Sequence, residues 1–448
     1  MENRLFSKTD LRKLIIPLIL EQTLAITVGM ADTMMISSVG EAAVSGVSLI
    51  DMVNNLIISI LTALATGGAV VVSQFIGAGQ KDKACRSVKQ LLWVSTVITL
   101  VITAVVMILH RPLIALLFGS IEKAVFDNAV IYLLISALSF PLLAVYNSCA
   151  ALFRAMGNAG ITLKVSLLMN VVNVAGNALC IYGLGMGVAG AAIPTLVSRG
   201  VAAVVLYRLL KNPGGLVYIT SEKFRPDREI IGKILYIGIP SGVENGIFQL
   251  GRVLVVSIIA GFGTVQIAAN GVANSLDAMG CIIGGAMGLA MITVVGRCVG
   301  AGDWKQVRYY TKKLLVFTYV STAVVNSIIL LSLPWVLPLY GLGSETLELT
   351  SRLVWIHNGM AILLWPASFV LPNMLRASND VRFTMVISIF SMVTFRIGLS
   401  VVFGIGMGYG AVGVWYAMVL DWIFRSGCFA WRYVSGAYRK IKIPDRKG

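Results

Sequence analysis

A single carboxylate lies near the end of the first long apolar stretch, which runs from Leu14 to Ile36 and contains Asp32. About 20 apolar residues are enough to cross a bilayer. Carrying an ionised carboxylate into hydrocarbon costs about 2.5–3.5 kcal/mol on insertion scales. Asp32 is therefore predicted to face a polar cavity and to hold a coupling cation. The alternative is that the helix ends earlier, which would place Asp32 in the interfacial region.

A second acid, Glu21, precedes Asp32 by eleven residues. This spacing is close to a whole number of helical turns, so both acids lie on roughly one face of the helix, about 16 Å apart along its axis. We expect that face to line a polar cavity, and we assign Glu21 to a substrate cleft.

Four other polar residues of the first half could supply ligands to the same cation. Asn173 and Asn177 are spaced i, i+4 and so share a face of their helix, while Thr195 and Tyr132 lie in neighbouring apolar stretches. A carboxylate, two amide carbonyls and a hydroxyl suit a hard cation such as Na⁺, and a proton on the carboxylate is the other possibility. Alternatively, these side chains hydrogen-bond between helices and stabilise only the packing.

The composition indicates a polytopic membrane protein. Of the 448 residues, 57% are hydrophobic and 12% charged, and the mean hydropathy is +0.86, whereas soluble domains are about 25% charged. Six scattered cysteines and two histidines predict neither a disulfide framework nor a zinc site.

The sequence contains no catalytic or nucleotide-binding signature that fits its context. Two GxGxxG strings begin at Gly185 and Gly408, but each links two apolar stretches rather than a strand and a helix, so we interpret them as tight turns. No P-loop, HExxH or GxSxG string occurs. We expect no enzyme activity and no cofactor.

The apolar stretches predict an all-α fold with twelve membrane helices, at 14–37, 48–76, 88–110, 127–152, 161–183, 188–210, 231–258, 268–296, 312–335, 350–374, 383–405 and 411–434. Of the 36 Lys and Arg residues, 29 fall in alternate loops and the two termini. This positive-inside pattern predicts a multi-pass protein of the cell (inner or plasma) membrane with both termini in the cytoplasm. The basic loops are expected to face anionic lipid rather than nucleic acid.

The two halves of the chain are related by an internal repeat. A shift of 223 aligns Pro17 with Pro240 and Glu21 with Glu244, and a shift of 221 aligns Gly185 with Gly406. We therefore predict an N-terminal lobe (1–210), a cytoplasmic inter-lobe loop (211–230) and a C-terminal lobe (231–448). Two six-helix lobes related by a pseudo-two-fold axis along the membrane normal could rock about a central cleft.

The order and spacing of several motifs resemble the multidrug and toxic compound extrusion (MATE) transporter family. The motifs are GMADTMM from Gly29, QFIGAG from Gln74, LFRAMG from Leu152 and NVAGN from Asn173, with their repeats in the second half. The resemblance implies a secondary active multidrug efflux transporter that antiports organic compounds, often cationic or amphipathic, against inward Na⁺ or H⁺. It also implies a cation site at Asp32, Asn173, Asn177 and Thr195, with Tyr132 beside it. Asn177 replaces an Asp found in some branches, which slightly favours Na⁺.

The second half departs from the first where that site would recur. At a shift of 223, the five positions become Val255, Arg396, Ser400, Met418 and Trp355. We therefore expect only the first lobe to bind a coupling ion. The expected partners of Arg396 are Glu244 and Asp421, and those of Glu244 are Arg252 and Arg396. The candidate substrate cleft comprises Gln249, Glu244, Arg252, Arg396 and Glu21.

The function expected from these observations is transport of small-molecule drugs or metabolites, with implications for antibiotic resistance, by a monomer embedded in the bilayer. One alternative is a lipid-linked oligosaccharide flippase of related architecture, which a larger basic cavity and extra helices would favour. An ion channel is an alternative from another class, which a repeated pore-lining signature would favour.

Overall fold

The computed structural model describes residues 4–119 and 121–441, and within these ranges the chain forms long helices and no strand. We number the helices α1–α12 in chain order: Lys8–Ser37, Glu41–Gly77, Lys81–Phe118, Lys123–Ala155, Ala159–Gly183, Ala189–Leu210, Arg228–Ala260, Thr264–Gly300, Trp304–Tyr340, Ser344–Ala377, Val381–Gly406 and Gly410–Ser435.

All twelve predicted helices are confirmed, and most are longer than predicted. The start of α1 shows why: it begins at Lys8 rather than Leu14 because a capping box closes its first turn. Ser7 Oγ accepts a hydrogen bond from the Asp10 amide (3.1 Å), and the Asp10 carboxylate accepts one from the Ser7 amide (2.9 Å). Polar turns of this kind extend helices beyond the apolar run that hydropathy detects.

Eleven of these helices, all except α12, are long and apolar enough to cross a membrane. A helix satisfies its own backbone hydrogen bonds, which hydrocarbon cannot do, so helices are suited to this role. The remaining helix, α12, carries Asp421, Arg425 and Arg432. The chain is a multi-pass membrane protein whose last helix contains charged residues that need internal partners.

The backbone repeats itself at the turns between helices. Positive φ angles recur in the two halves at the pairs Gly40/Gly263, Gly79/Gly302, Gly119/Gly341, Gly157/Asn379, Gly185/Gly408 and Gly187/Gly410. Within the described ranges, Asn379 (φ 67°) is the one member of this set that is not a glycine. Asn tolerates the left-handed conformation better than most residues.

These angles correct the alignment of the last turn. The sequence analysis paired Gly185 with Gly406, but the residue with the matching backbone is Gly408, at a shift of 223. Between Asn379 and Gly408 the shift therefore grows from 222 to 223. A π-helical turn at Met392–Gly398 in α11, in addition to the one at Val401–Gly406, accommodates one extra residue.

The chain divides into two compact units, and the boundary lies inside α7, after Gly242. In the first unit, α4 packs against α2, α3 and α6, and α5 packs against α6. In the second unit, α10 packs against α8, α9 and α12, and α11 packs against α12. The corresponding helices of each half thus have corresponding neighbours.

Small residues allow close helix contacts within the first unit. A Cβ atom added to Gly67 of α2 would lie 2.6 Å from the carbonyl oxygen of Ile234 and 2.9 Å from the amide nitrogen of Gly238, both on α7. In membranes, such close backbone approaches contribute much of the packing between helices.

We predict that Gly67→Ala lowers the apparent melting temperature of the detergent-purified protein, by an amount corresponding to about 1–3 kcal/mol, because neither backbone atom can move aside as a side chain could. Thermal unfolding followed by size-exclusion chromatography measures this. Gly232→Ala is the control, since a Cβ at Gly232 of α7 meets nothing within 4 Å. Equal melting temperatures for the two variants would contradict the prediction.

Candidate functional site

Each half of the chain holds a buried Glu–Arg pair at the same place in the repeat. Glu21 of α1 accepts a hydrogen bond from Arg154 at the end of α4 (3.3 Å) and another from Thr162 of α5 (3.0 Å). Glu244 of α7 accepts hydrogen bonds from Arg376 near the end of α10 (2.7 Å) and from Ser388 of α11 (2.5 Å). Both pairs tie the first helix of a half to its fourth and fifth.

This geometry corrects the predicted partners of Glu244. The sequence analysis expected Arg252 or Arg396, but the carboxylate forms its ion pair with Arg376. Glu21 and Glu244 are 8% and 4% exposed. Their burial and pairing favour a role in holding the helices together over the predicted role in a substrate cleft.

The four residues predicted as a cation site form a chain of hydrogen bonds in the first unit. Asn177 Nδ2 donates to Asp32 Oδ1 (2.8 Å) and, more weakly, to Asn173 Oδ1 (3.4 Å), and Asn173 Nδ2 donates to Thr195 Oγ1 (2.9 Å). Three helices, α1, α5 and α6, position these side chains. The i, i+4 spacing of the two asparagines places them on one face, as the sequence indicated.

The site is rich in oxygen atoms that could bind a hard cation. Asn177 Oδ1 is buried and has no hydrogen-bond partner within the described residues. With the Asp32 carboxylate, Asn173 Oδ1 and the Thr195 hydroxyl, it gives the carboxylate, amide and hydroxyl oxygens that Na⁺ prefers. Among the described residues, no group of three or more His, Cys, Asp or Glu side chains could hold a metal ion, so these neutral oxygens would have to complete the site.

Tyr132 contacts a second acid that the sequence analysis missed. Its hydroxyl donates to Asp51 Oδ1 of α2 (3.2 Å) and not to one of the four predicted ligands. Asp51 and Arg199 of α6 both interact electrostatically with Asp32, and Arg199 Nη1 donates to Ser139 Oγ (2.6 Å). Asp32 is therefore not the only titratable group near the site. Asp51 is an isolated acid in an apolar stretch, the same signal that identified Asp32.

The interior of the second unit is also polar. Arg396 Nη1 of α11 lies 3.6 Å from Asp421 Oδ2 of α12. Asp421 is one of the two partners predicted for Arg396. The Ser391 hydroxyl donates a hydrogen bond to the same carboxylate. Arg425 Nη2 donates to the Ser368 carbonyl (3.3 Å), and its guanidinium lies 4.6 Å from the centre of the Phe369 ring.

A further buried pair joins α8 to α10. His357 Nδ1 lies 3.2 Å from Asp277 Oδ1, and the imidazole packs edge-on against Trp415 and Trp422. Asp277 and His357 are 5% and 6% exposed. Neither residue was predicted from the sequence, although an acid inside the apolar run of α8 is the same kind of signal as Asp32.

The MatE family model matches residues 17–179 and 240–411, which together cover both halves of the repeat. The chain belongs to the MatE family. Its members are membrane transporters and not enzymes, in agreement with the helical fold and with the paired turns of the two halves.

Curated relatives of this MatE chain match over nearly its whole length. The "Uncharacterized transporter YisQ" of Bacillus subtilis is 26% identical over 94% of this chain and 96% of its own. The "Probable multidrug resistance protein NorM" of Thermotoga maritima is 26% identical over 98% of this chain and 95% of its own. Among solved structures, a MOP superfamily transporter from Pyrococcus furiosus superposes with a TM-score of 0.89 at 21% identity, over 97% of each chain.

We predict that Glu21→Gln and Glu244→Gln each lower the apparent melting temperature substantially, because each leaves a largely buried guanidinium without its carboxylate. Breaking a buried ion pair from one side costs about 3–5 kcal/mol. The control is Glu41→Gln, an exposed acid at the start of α2, for which we expect a change within about 0.5 kcal/mol. Melting temperatures of both variants equal to that of the control would contradict a structural role for the pairs.

Proposed function

We propose that this MatE chain is a secondary active efflux transporter, which exports small organic compounds and is driven by a cation moving inward. The observation that carries the proposal is the Asp32 carboxylate, which lies in an apolar helix and is joined by Asn177 to a row of amide and hydroxyl groups. The names of relatives support the substrate class, since NorM of Thermotoga maritima and PmpM of Pseudomonas aeruginosa are called multidrug resistance proteins.

The coupling cation binds at Asp32, Asn173, Asn177 and Thr195 in this proposal. Neutral amide oxygens beside one carboxylate favour Na⁺, as argued from the sequence. The discovery of Asp51, which Tyr132 and Asn54 contact by hydrogen bonds, provides a second acid through which a proton could be exchanged. The experiment therefore has to compare Na⁺ with H⁺.

Coupling requires that cation binding changes the packing of the helices around Asp32. The Asn177 amide donates to Asp32 and Asn173 together, so a cation on the carboxylate would draw oxygens towards it and turn that amide away. Rocking of the two six-helix lobes would then expose the substrate to the other side of the membrane. One positive charge moving inward through 100 mV supplies about 2.3 kcal/mol.

The orientation follows from the positive-inside pattern. We place both termini and the loop at 211–230 in the cytoplasm of a cell-membrane protein. A cation that moves inward down its gradient can then drive a compound out of the cell. Gln249, Arg252 and Arg396 remain the candidate substrate contacts, and we propose that a monomer carries out the cycle. The Pyrococcus furiosus transporter is described as having a binding pocket of reverse polarity that suggests a different function. The charge of the substrate of this chain therefore has to be inferred from the residues of this chain.

We predict that Asp32→Asn reduces cation-driven efflux to the leak rate and leaves expression and folding intact, because the amide fills the same space without a charge to attract the ion. Proteoliposomes containing the purified protein and a fluorescent drug, with an imposed Na⁺ gradient or an imposed pH gradient, measure the flux and identify the ion.

The matched control is Asp127→Asn, which replaces an exposed acid near the start of α4 and is expected to retain the wild-type rate. Undiminished drug flux in the Asp32 variant under both gradients would refute the proposed coupling site. Flux of the wild-type protein that responds to neither gradient would refute cation-driven transport.

A further inference from the structure

A small pocket in the second unit brings two arginines together. Arg252 of α7 and Arg396 of α11 line a cavity of about 50 Å³. Sites that hold an entire drug-sized ligand measure about 300–1,000 Å³. A cavity of this size therefore suits one functional group of a larger ligand, and the chemistry of the lining residues indicates the kind of group. The others lining it are Val255, Val256, Ile259, Asn270, Asn274, Val414, Trp415 and Met418.

The close approach of α7 to α11 positions the two guanidinium groups. A Cβ atom on Gly251 would lie 2.5 Å from Met392 Sδ, so the glycine lets the helices come together one residue before Arg252. Arg396 follows Met392 by four residues and lies one turn along α11. The two cations are close enough to interact electrostatically with each other.

Within the described ranges, two acids interact electrostatically with Arg396, and each of them also contacts another residue. Arg396 pairs with Asp421 at 3.6 Å, but Arg425 interacts electrostatically with the same carboxylate. Asp277, the other acid near Arg396, contacts His357. Arg252 forms no ion pair with an acid of the described residues. A membrane-embedded cation without a counter-charge is costly and generally marks a ligand or ion pathway.

The neutral residues of the pocket also offer hydrogen-bond donors. Trp415 Nε1 donates to Asn270 Oδ1 (2.9 Å), which fixes the amide so that its nitrogen remains available to donate. Arg396 Nε is buried and has no hydrogen-bond partner within the described residues. The Trp415 ring and the aliphatic side chains keep the pocket apolar elsewhere, which strengthens an ionic interaction made there.

We propose that this pocket is a subsite for a carboxylate group of the transported compound, held by Arg252, Arg396 and Asn270. The substrate is then an organic anion or a zwitterion and not a simple cation. A planar carboxylate matches the fork of N–H donors that a guanidinium presents. The inference rests on the proposed function, because it assigns the charge of the compound which that function exports.

The test is equilibrium binding to the full-length, detergent-purified protein, measured by fluorescence anisotropy. The probes are a rhodamine that carries a free benzoate and the methyl ester of the same dye, which differ in the carboxylate alone. We expect the wild-type protein to bind the free acid at least about tenfold more tightly than the ester, a ratio within reach of one charge-assisted bidentate contact.

Arg252→Gln should remove this preference by weakening the binding of the free acid, and Arg252→Lys should keep part of it. Arg252 has no ion pair to lose, so its variant is expected to fold even if Arg396→Gln, which strips Asp421 of a partner, does not. Arg208→Gln, an exposed arginine in the last turn of α6, is the matched control and should behave as the wild type. Equal affinities of the wild-type protein for acid and ester, or a preference that survives in Arg252→Gln, would overturn the proposal.

Competition separates a substrate carboxylate from an inorganic anion. Benzoate added alone should displace the acidic dye, and replacing chloride by methanesulfonate, which carries no carboxylate, should have little effect on its binding. Displacement by chloride but not by benzoate would identify an inorganic-anion site and overturn the proposal. The Asp32→Asn variant distinguishes the carboxylate subsite from the proposed cation coupling. It should lose cation-driven flux and still bind the free acid more tightly than the ester. Failure of one expectation would therefore leave the other intact.

Discussion

A charged side chain inside an apolar helix has to find its partner within the protein, because hydrocarbon offers neither water nor counter-ions. In this chain the requirement is met first by two buried Glu–Arg pairs, Glu21–Arg154 and Glu244–Arg376. Each pair ties the first helix of a half to the end of its fourth, and a hydroxyl from the fifth helix contacts the same carboxylate. The same contact therefore fixes the same three helices in both repeats.

On this shared frame, the polar interiors of the two units have diverged. In the first unit, Asn173 and Asn177 lie beside Asp32. In the second unit, Arg396 lies near Asp421. Trp415 and Trp422 pack against His357 in the same unit. Amide and carboxylate oxygens attract a cation, whereas guanidinium and amide donors attract an anion. Duplication thus preserved the contacts that hold helices together, and substitution changed the groups that face the interior.

The sequence located the first-unit cluster but not all of its members. Helical periodicity and a costly acid are local signals that singled out Asp32 and Asn177, and the resemblance to the MATE family implied that the two share a site. Asn177 Nδ2 lies 2.8 Å from Asp32 Oδ1. Tyr132 was predicted beside the same group, yet it contacts Asp51. Asp51 and Asp277 were not predicted, even though each is an acid in an apolar stretch, because nothing local to α2 or α8 shows which side chains of other helices face them.

The sequence by itself determined the twelve helices, their internal repeat and the isolated acid of α1, since hydropathy and residue spacing act over one or two turns of a helix. The tertiary structure alone decided which partner each charge takes. Glu244 was expected to choose Arg252 or Arg396 and pairs with Arg376, because the choice depends on how α7 and α10 are rotated about their axes. Such rotations depend on contacts between residues far apart in the chain, such as the close approach of Gly251 of α7 to Met392 of α11.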